Sequence, residues 1–256
     1  MPLPREDLHS ISEIYHENTK DRERVVPGFG AAQTQGPWYR AFKKYPHKPR
    51  ISLKIPEERS SPGTEETIRS RRTVRQFADR PLELTDLGRL LYFTSGITAN
   101  MPLDHGVLPL RACPSAGALY PIEIYVAAFS VSGLEEGIYH YEVEGNALEL
   151  LRRGQYRQEI YEITHRQEMV LQSAAALLMS ALFPRTKVKY GERGYRYVLL
   201  DAGHLAQNLY LESTALGLGC ATVGGFLDDR ANKLIGADGL EESVLYLAVV
   251  GHPVAK

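Results

Sequence analysis

Apolar residues recur at helical spacing along one long stretch of the chain. Val198, Ala202, Leu205, Leu209 and Leu216 stand three, four and seven apart, which predicts a helix with one buried face. The same stretch carries Ala202, Gly203, Ala206 and Ala215, small enough for a second element to approach its backbone at a domain centre or a subunit interface. Gly217 and Gly219 suit a left-handed helix end, and Cys220 to Val223 reads as a short buried strand. The pair Gly224-Gly225 that follows either lets main chain approach a flat ligand or simply turns the chain.

Elsewhere the pattern alternates between the two periods. Leu8 to Asp21 predicts a short helix on Leu8, Ile11 and Tyr15. Thr64 is placed to cap a helix whose first turn holds Glu65 and Glu66, and Thr85 to cap one carrying Leu87, Leu90 and Leu91 and ending at Gly96. Thr98 to Gly106 reads as a polar loop, and Ile122 to Ser130 as a strand. Gly137 to Val143 and Ala147 to Leu151 form a hairpin turning at Gly145-Asn146. Tyr156 to Gln172 is predicted helical, Ala174 to Phe183 a central strand, Asp228 to Ile235 a small helix and Val244 to Val250 a closing strand. Strands and helices mix without regular βα alternation, which favours an α+β domain over a doubly wound one.

Between Val25 and Pro62 the chain is rich in Pro, Gly, Lys and aromatics, with Trp38, Tyr39, Phe42 and Tyr45 too many rings for a disordered linker. Residues 1–62 are therefore read as an N-terminal helix and irregular arm lying on the surface of the main domain or of a partner subunit, and residues 63–256 as the main domain.

Charge removes several function classes. Lys+Arg 30 against Asp+Glu 31 gives a formal charge of -1, so no global field favours nucleic acid or an anionic membrane, and an anion site has to be local. The N-terminus lacks an apolar leader and no run approaches a membrane span, so a soluble, unprocessed protein is expected. Cys113 and Cys220 form no CxxC pair and sit among small or apolar residues; reduced buried thiols, and with them a cytoplasmic location, are the simplest reading. The eight histidines lack ligand spacing, so no metal is expected, and His204 reads as a polar neighbour of Asn208. Gly217, Gly219 and Gly224 follow a helix rather than opening one, which excludes a dinucleotide fingerprint.

Two local patterns carry chemistry. Arg69, Arg71, Arg72 and Arg75 fall within seven positions, and guanidinium forks suit phosphate oxygens, with Thr73 as a hydroxyl donor; a solvated helix face with carboxylate partners is the alternative. RACPSAGALYP, Arg111 to Pro121, offers small side chains and free main-chain N–H groups to a cofactor edge, or is a turn before the strand.

Taken together, SRRTVRQF (Ser70 to Phe77), PSAGALYP (Pro114 to Pro121) and KYGERGYRYVLLDAGHLAQNLYLESTALGLG (Lys189 to Gly219) closely resemble the SagB-type dehydrogenases, the azoline-oxidising branch of the FMN-dependent nitroreductase superfamily. The likeness runs from about Thr64 to Pro253, and the arm before residue 60 is similar to that of stand-alone members. It implies a central, mostly antiparallel sheet flanked by helices, an intertwined homodimer with the small-residue helix as its spine, and FMN at the dimer interface. By motif, Arg71, Arg72, Thr73 and Arg75 would hold the phosphate and ribityl chain, Pro114, Ser115, Ala116 and Gly117 would meet the flavin, and Gly224 and Gly225 would present main chain near its N5 edge. Many nitroreductases carry an Asn after their Ser-containing motif, where this sequence has Ala118.

The resemblance also implies Lys189 and Tyr190 as the catalytic pair, because aromatising a thiazoline or oxazoline removes a proton as well as a hydride. A lysine is a base only when neutral, and Arg185, Lys187 and Arg193 are the cations expected to favour that form. The implied substrate is an azoline ring in a peptide or small molecule. A NAD(P)H-dependent nitro or quinone reductase and a flavin-bound, non-catalytic subunit of a peptide-modifying complex are the alternatives.

Overall fold

A computed structural model describes residues 10–20, 42–57, 62–104 and 106–254. In chain order the elements are α1 (Ile11–Asn18), β1 (Arg50–Ser52), α2 (Thr64–Ser70), β2 (Leu82–Glu83), α3 (Leu84–Ser95), β3 (Ile97–Leu103) and β4 (Gly106–Arg111). A single 3-10 turn at Ala116–Ala118 leads to β5 (Ile122–Ala128), β6 (Val131–Ser132), β7 (Gly137–Glu142) and β8 (Ala147–Arg153). The chain continues through α4 (Arg157–Ile163), α5 (Met169–Gln172), β9 (Ala175–Leu182), α6 (Phe183–Tyr190), α7 (Arg193–Ala215), β10 (Gly219–Val223), α8 (Asp228–Ile235) and β11 (Glu242–Gly251).

Seven strands form one antiparallel sheet in the order β1-β8-β7-β5-β9-β11-β10, the α+β architecture expected. β5 and β9 lie at its centre and are buried on both faces. Ile122, Ile124 and Val126 of β5 pack with Leu87, Leu90 and Leu91 of α3 and with Val198, Leu205 and Leu209 of α7. The alternate residues Tyr125 and Ala127 pack on the other face with Ile160 and Ile163 of α4 and Leu234 of α8. Each such aliphatic side chain contributes roughly 1.5–3 kcal/mol by leaving water.

The expected core face of α7 is observed, with Val198, Ala202, Leu205 and Leu209 buried. Ala206 is buried in the same core, so this small residue, like Ala202, serves packing within the chain. The outward face of α7 is instead made by Leu199, Leu200, Gly203, His204 and Gln207. Gly217, at φ 70, takes the left-handed conformation expected after the helix, whereas Gly219 begins β10.

Several expected boundaries move. α2 begins at the proposed cap Thr64 itself and α3 at Leu84, one residue before the proposed cap Thr85, and neither helix has a side-chain cap bond. The loop expected from Thr98 to Gly106 is largely strand β3, paired with β4 in a hairpin whose Met101, Leu103 and Val107 are exposed. The single helix expected over Tyr156 to Gln172 is two, broken where His165 and Arg166 take φ of 55 and 62.

Of the arm, Trp38, Tyr39, Leu8 and Asp21 lie outside the described residues. α1 is capped by Ser10 and docks on α7 through Tyr15 against Tyr195 and through Arg196, which donates to Thr19 Oγ1 and to the His16 carbonyl, both at 2.6 Å. Residues 42–52 do not merely lie on the surface: β1 extends the sheet, and Lys43 reaches Glu242 and donates to Tyr125 Oη at 2.7 Å.

Buried charge gathers on the β5, β7 and β8 strands. His140 lies between Glu123 and Glu149, at 3.0 and 2.8 Å, and Arg185 of α6 meets Glu123 at 2.5 Å. Burial alone would lower the His140 imidazole, but its two carboxylate partners hold it above its ordinary value. Among the described residues no helix is long and apolar enough to cross a membrane, and no group of His, Cys, Asp and Glu could hold a metal ion.

Candidate functional site

The segment after β4 is a strained turn clasped from several sides. Gly117, Ala118 and Tyr120 take φ of 64, 54 and 46, a region that costs a residue with a Cβ about 1–2 kcal/mol. Ser115 Oγ accepts the Tyr120 N–H at 2.9 Å and donates to Asp201 Oδ2 of α7 at 2.5 Å. Arg185 donates to the Tyr120 carbonyl at 3.0 Å, and the Tyr120 hydroxyl accepts the Arg111 N–H at 3.0 Å. Asn208 of α7 donates to the Ala112 carbonyl at 3.2 Å, so it serves this turn rather than His204, which is exposed.

This turn meets the end of α6. A Cβ placed on Gly117 would lie 2.7 Å from Tyr190 Oη and 2.9 Å from Lys189 Nζ, so a side chain there would displace those two side-chain ends, and the φ of 64 also favours glycine. Two groups of residues singled out from separate parts of the sequence, Pro114 to Gly117 and Lys189-Tyr190, are thus brought together. Tyr190 is half-buried against Tyr197, edge to face at 4.9 Å, and Lys189 is exposed with its ammonium 5.4 Å from the Tyr190 ring. Of the cations expected to act on Lys189, Arg185 is paired with Glu123 and Lys187 with Glu192 at 2.8 Å, so their charges are compensated locally. Arg193 lies over the Tyr197 ring at 5.7 Å and donates to the Thr19 carbonyl.

The arginine run forms a second group. α2 ends at Ser70, so Arg71 to Arg75 continue as extended chain rather than as a helix face. Val74 donates to the Cys220 carbonyl at 2.9 Å, and a Cβ on Gly219 would come within 2.7 Å of Val74, which explains the glycine there. Arg71 lies 5.1 Å over the Tyr210 ring, Arg72 turns back on the Arg69 and Arg71 carbonyls, and Arg75 is exposed. Among the described residues no carboxylate pairs with Arg71, Arg72 or Arg75, and Arg72 and Arg75 are exposed.

Tyr210 ties this segment to the next. Its hydroxyl lies 3.3 Å from Thr73 Oγ1 and 3.2 Å from Thr222 Oγ1, and accepts the Thr222 N–H at 3.0 Å. Tyr246 donates to Thr222 Oγ1 at 2.8 Å, and its ring lies 3.9 Å from a Cβ placed on Gly224. Arg71, Thr73 and the exposed Gly224-Gly225 turn are therefore joined through Tyr210, Thr222 and Tyr246.

The two groups do not merge within the chain. Asp201 and Tyr210 are nine residues apart on α7, about 13 Å along its axis and roughly half a turn around it, on opposite flanks of the buried stripe. Neither residue was singled out from the sequence. Their signal there is a polar side chain bordering an apolar stripe, and it has no meaning until the partner segments are known.

A profile of the nitroreductase family matches residues 68–252. MJ1384 of Methanocaldococcus jannaschii, named as a nitroreductase, is 35% identical over 190 residues, 74% of this chain and 91% of that protein. A crystal structure described as a nitroreductase from Anabaena variabilis superposes with a TM-score of 0.77 at 28% identity, over 95% of this chain and 46% of that one; this chain thus spans under half of it. A chain of the Escherichia coli microcin synthetase McbBCD complex, solved with truncated pro-MccB17 bound, superposes with a TM-score of 0.60 at 25% identity, over 80% of this chain and 79% of that one. The sheet, the flanking helices and these matches have one reading: the chain belongs to the nitroreductase family.

Proposed function

We propose that this nitroreductase-family oxidoreductase depends on FMN and dehydrogenates azoline-type rings, thiazoline or oxazoline to azole, in a peptide or small molecule. The observation that carries the reading is the contact of Gly117 with Lys189 and Tyr190, which sets the expected proton-handling pair beside the turn expected against the flavin. FMN, when bound, supplies the two-electron acceptor for the hydride that leaves the ring. The donor set fits that group: Arg71, Arg72 and Arg75 lack carboxylate partners among the described residues and suit a phosphate, and the main chain at Gly224 and Gly225 is open for close approach. Lys189 as its neutral amine, or Tyr190 as its phenolate, takes the ring proton and is left as ammonium or phenol. Oxygen or another acceptor would be the terminal oxidant.

A homodimer belongs to the same proposal. The phosphate-type and turn-type groups sit on opposite flanks of α7, and the outward face between them carries Leu199, Leu200 and Gly203. A second copy packed on that face would complete each site with the other chain's group. A peptide substrate and complex partners are favoured by the likeness to a chain of the McbBCD complex. A cytoplasmic location accords with buried, unpaired Cys113 and Cys220.

The test begins with the visible spectrum of the purified protein and identification of the cofactor released by heat. Lys189→Ala and Tyr190→Phe should keep flavin content and lower azoline oxidation by about 10²–10⁴. Loss of flavin together with activity would make the pair structural and sink the assignment. A reductase reading has support in the nitroreductases among the relatives, and rapid bleaching on anaerobic mixing with NADH or NADPH would favour it. No turnover by the isolated protein, with flavin bound, would favour a non-catalytic subunit.

A further inference from the structure

We propose that Asp201 is a positioning residue of this site: with Asn208 on the same flank of α7 it clasps the 112–117 turn and so sets where Gly117 meets Lys189 and Tyr190. The inference rests on the reading of Lys189 and Tyr190 as the proton-handling pair.

Asp201 is only 3% exposed, on a helix whose neighbouring positions Val198, Ala202 and Leu205 are apolar core. A carboxylate in that setting is retained only if its oxygens are bonded. It accepts a hydrogen bond from the turn, from the Ser115 hydroxyl at 2.5 Å. Burial pushes the carboxyl above its usual range, and the Ser115 hydroxyl first, then the Ala116 backbone and the His204 ring, oppose the rise. Seven residues on, back on the same side of the helix, Asn208 holds the Ala112 carbonyl.

The turn needs such a hold. Ala118 and Tyr120 adopt positive φ, which residues with a Cβ keep only when their surroundings impose it. Ser115 relays the constraint, because the hydroxyl that donates to Asp201 also accepts the Tyr120 N–H. On its far side the turn already touches Tyr190 Oη and Lys189 Nζ, so Gly117 is fixed between the clasp and the pair. Release of the clasp leaves Lys189 and Tyr190 in place but lets the turn drift from them.

Amide hydrogen exchange, resolved by mass spectrometry over residues 112–120 and over β5 and β9, tests this in Asp201→Ala, Asp201→Asn and Asn208→Ala. Asp201→Ala should speed exchange in the turn about 10- to 100-fold, with β5 and β9 unchanged. In the flavin-loaded protein, azoline kcat should fall about 10²-fold while KM stays within about twofold, the signature of misplacement rather than lost binding. Asp201→Asn, which keeps an acceptor, should recover most of both, and it carries the test if Asp201→Ala does not fold. Unchanged exchange in the turn, an equal rise across β5 and β9, or a loosened turn with unchanged kcat would each overturn the proposal. If wild-type protein holds no flavin and oxidises no azoline, the functional reading fails; the positioning role falls with it, although localised exchange would still establish the clasp.

Discussion

Glu123→Gln is the most informative single change to the fold. The substitution keeps size and shape but removes the charge that Arg185 meets at 2.5 Å and His140 at 3.0 Å, in a place where all three side chains are buried. Burial alone would raise the Glu123 carboxyl, but Arg185 first and His140 next bring it down from 4.5 to about 2. That displacement corresponds to roughly 3 kcal/mol of stability. Removing one partner of a buried pair typically costs about 3–5 kcal/mol, and the agreement sets the expected loss at pH 7. Against a total of about 5–15 kcal/mol, this is readily measured by urea unfolding followed by circular dichroism. The carboxyl is depressed on folding, so its contribution is complete above about pH 4.5 and is lost as pH falls towards 2. The wild-type protein should therefore lose stability across that window more steeply than the variant. A loss below about 1 kcal/mol at pH 7, or parallel acid profiles, would refute the reasoning.

Three further changes probe the site and the arm. Gly117→Ala puts a Cβ within 2.7 Å of Tyr190 Oη at a positive φ; it should cost about 1–2 kcal/mol of stability and lower azoline oxidation about 10²-fold, measured by thermal melting and steady-state kinetics. Arg71→Ala with Arg75→Ala should weaken FMN binding by about 10²–10⁴ in a fluorescence titration, since each charge-assisted phosphate bond is worth about 1.5–3 kcal/mol; unchanged retention would remove the phosphate assignment. Arg196→Ala removes the two 2.6 Å bonds to the C-terminal end of α1, and limited proteolysis around residues 10–20 should speed up about tenfold, with the sheet resistant as before.

What the sequence disclosed depended on how local the cause was. The buried face of α7 and the strands β9 and β11 were legible because periodicity records burial directly. The β3–β4 hairpin was not, since Met101, Leu103 and Val107 are exposed and no face of it alternates against a core. The break at His165 and Arg166 carries no Gly or Pro to announce it. At the site, the Arg71 to Arg75 run and the Pro114 to Gly117 turn stood out by composition. Asp201 and Tyr210 did not, because their roles depend on segments that α7 meets only after folding. The same holds for Glu123, His140 and Glu149, whose contact depends on the register of three strands.

The edges of the sheet bear on how copies of this chain can meet. β10, the last strand on one side, is met by the segment after Arg71 at Cys220, whose carbonyl accepts the Val74 N–H, and the same segment runs on beside the chain that follows β11, where Phe77 bridges Pro253 and Ala78 donates to His252 at 2.8 Å. The opposite edge, β1, is three residues long and flanked by Lys48 and Lys54, whose charges oppose stacking of one such edge on another. Among the described residues, strand addition from a neighbouring molecule therefore meets the Val74 bond on the five-residue β10 and only a three-residue ladder at β1. Association at high concentration should then stay sensitive to substitutions on helical surfaces such as Leu200, and cross-β growth on β10 should require that the Val74 bond to Cys220 first be broken.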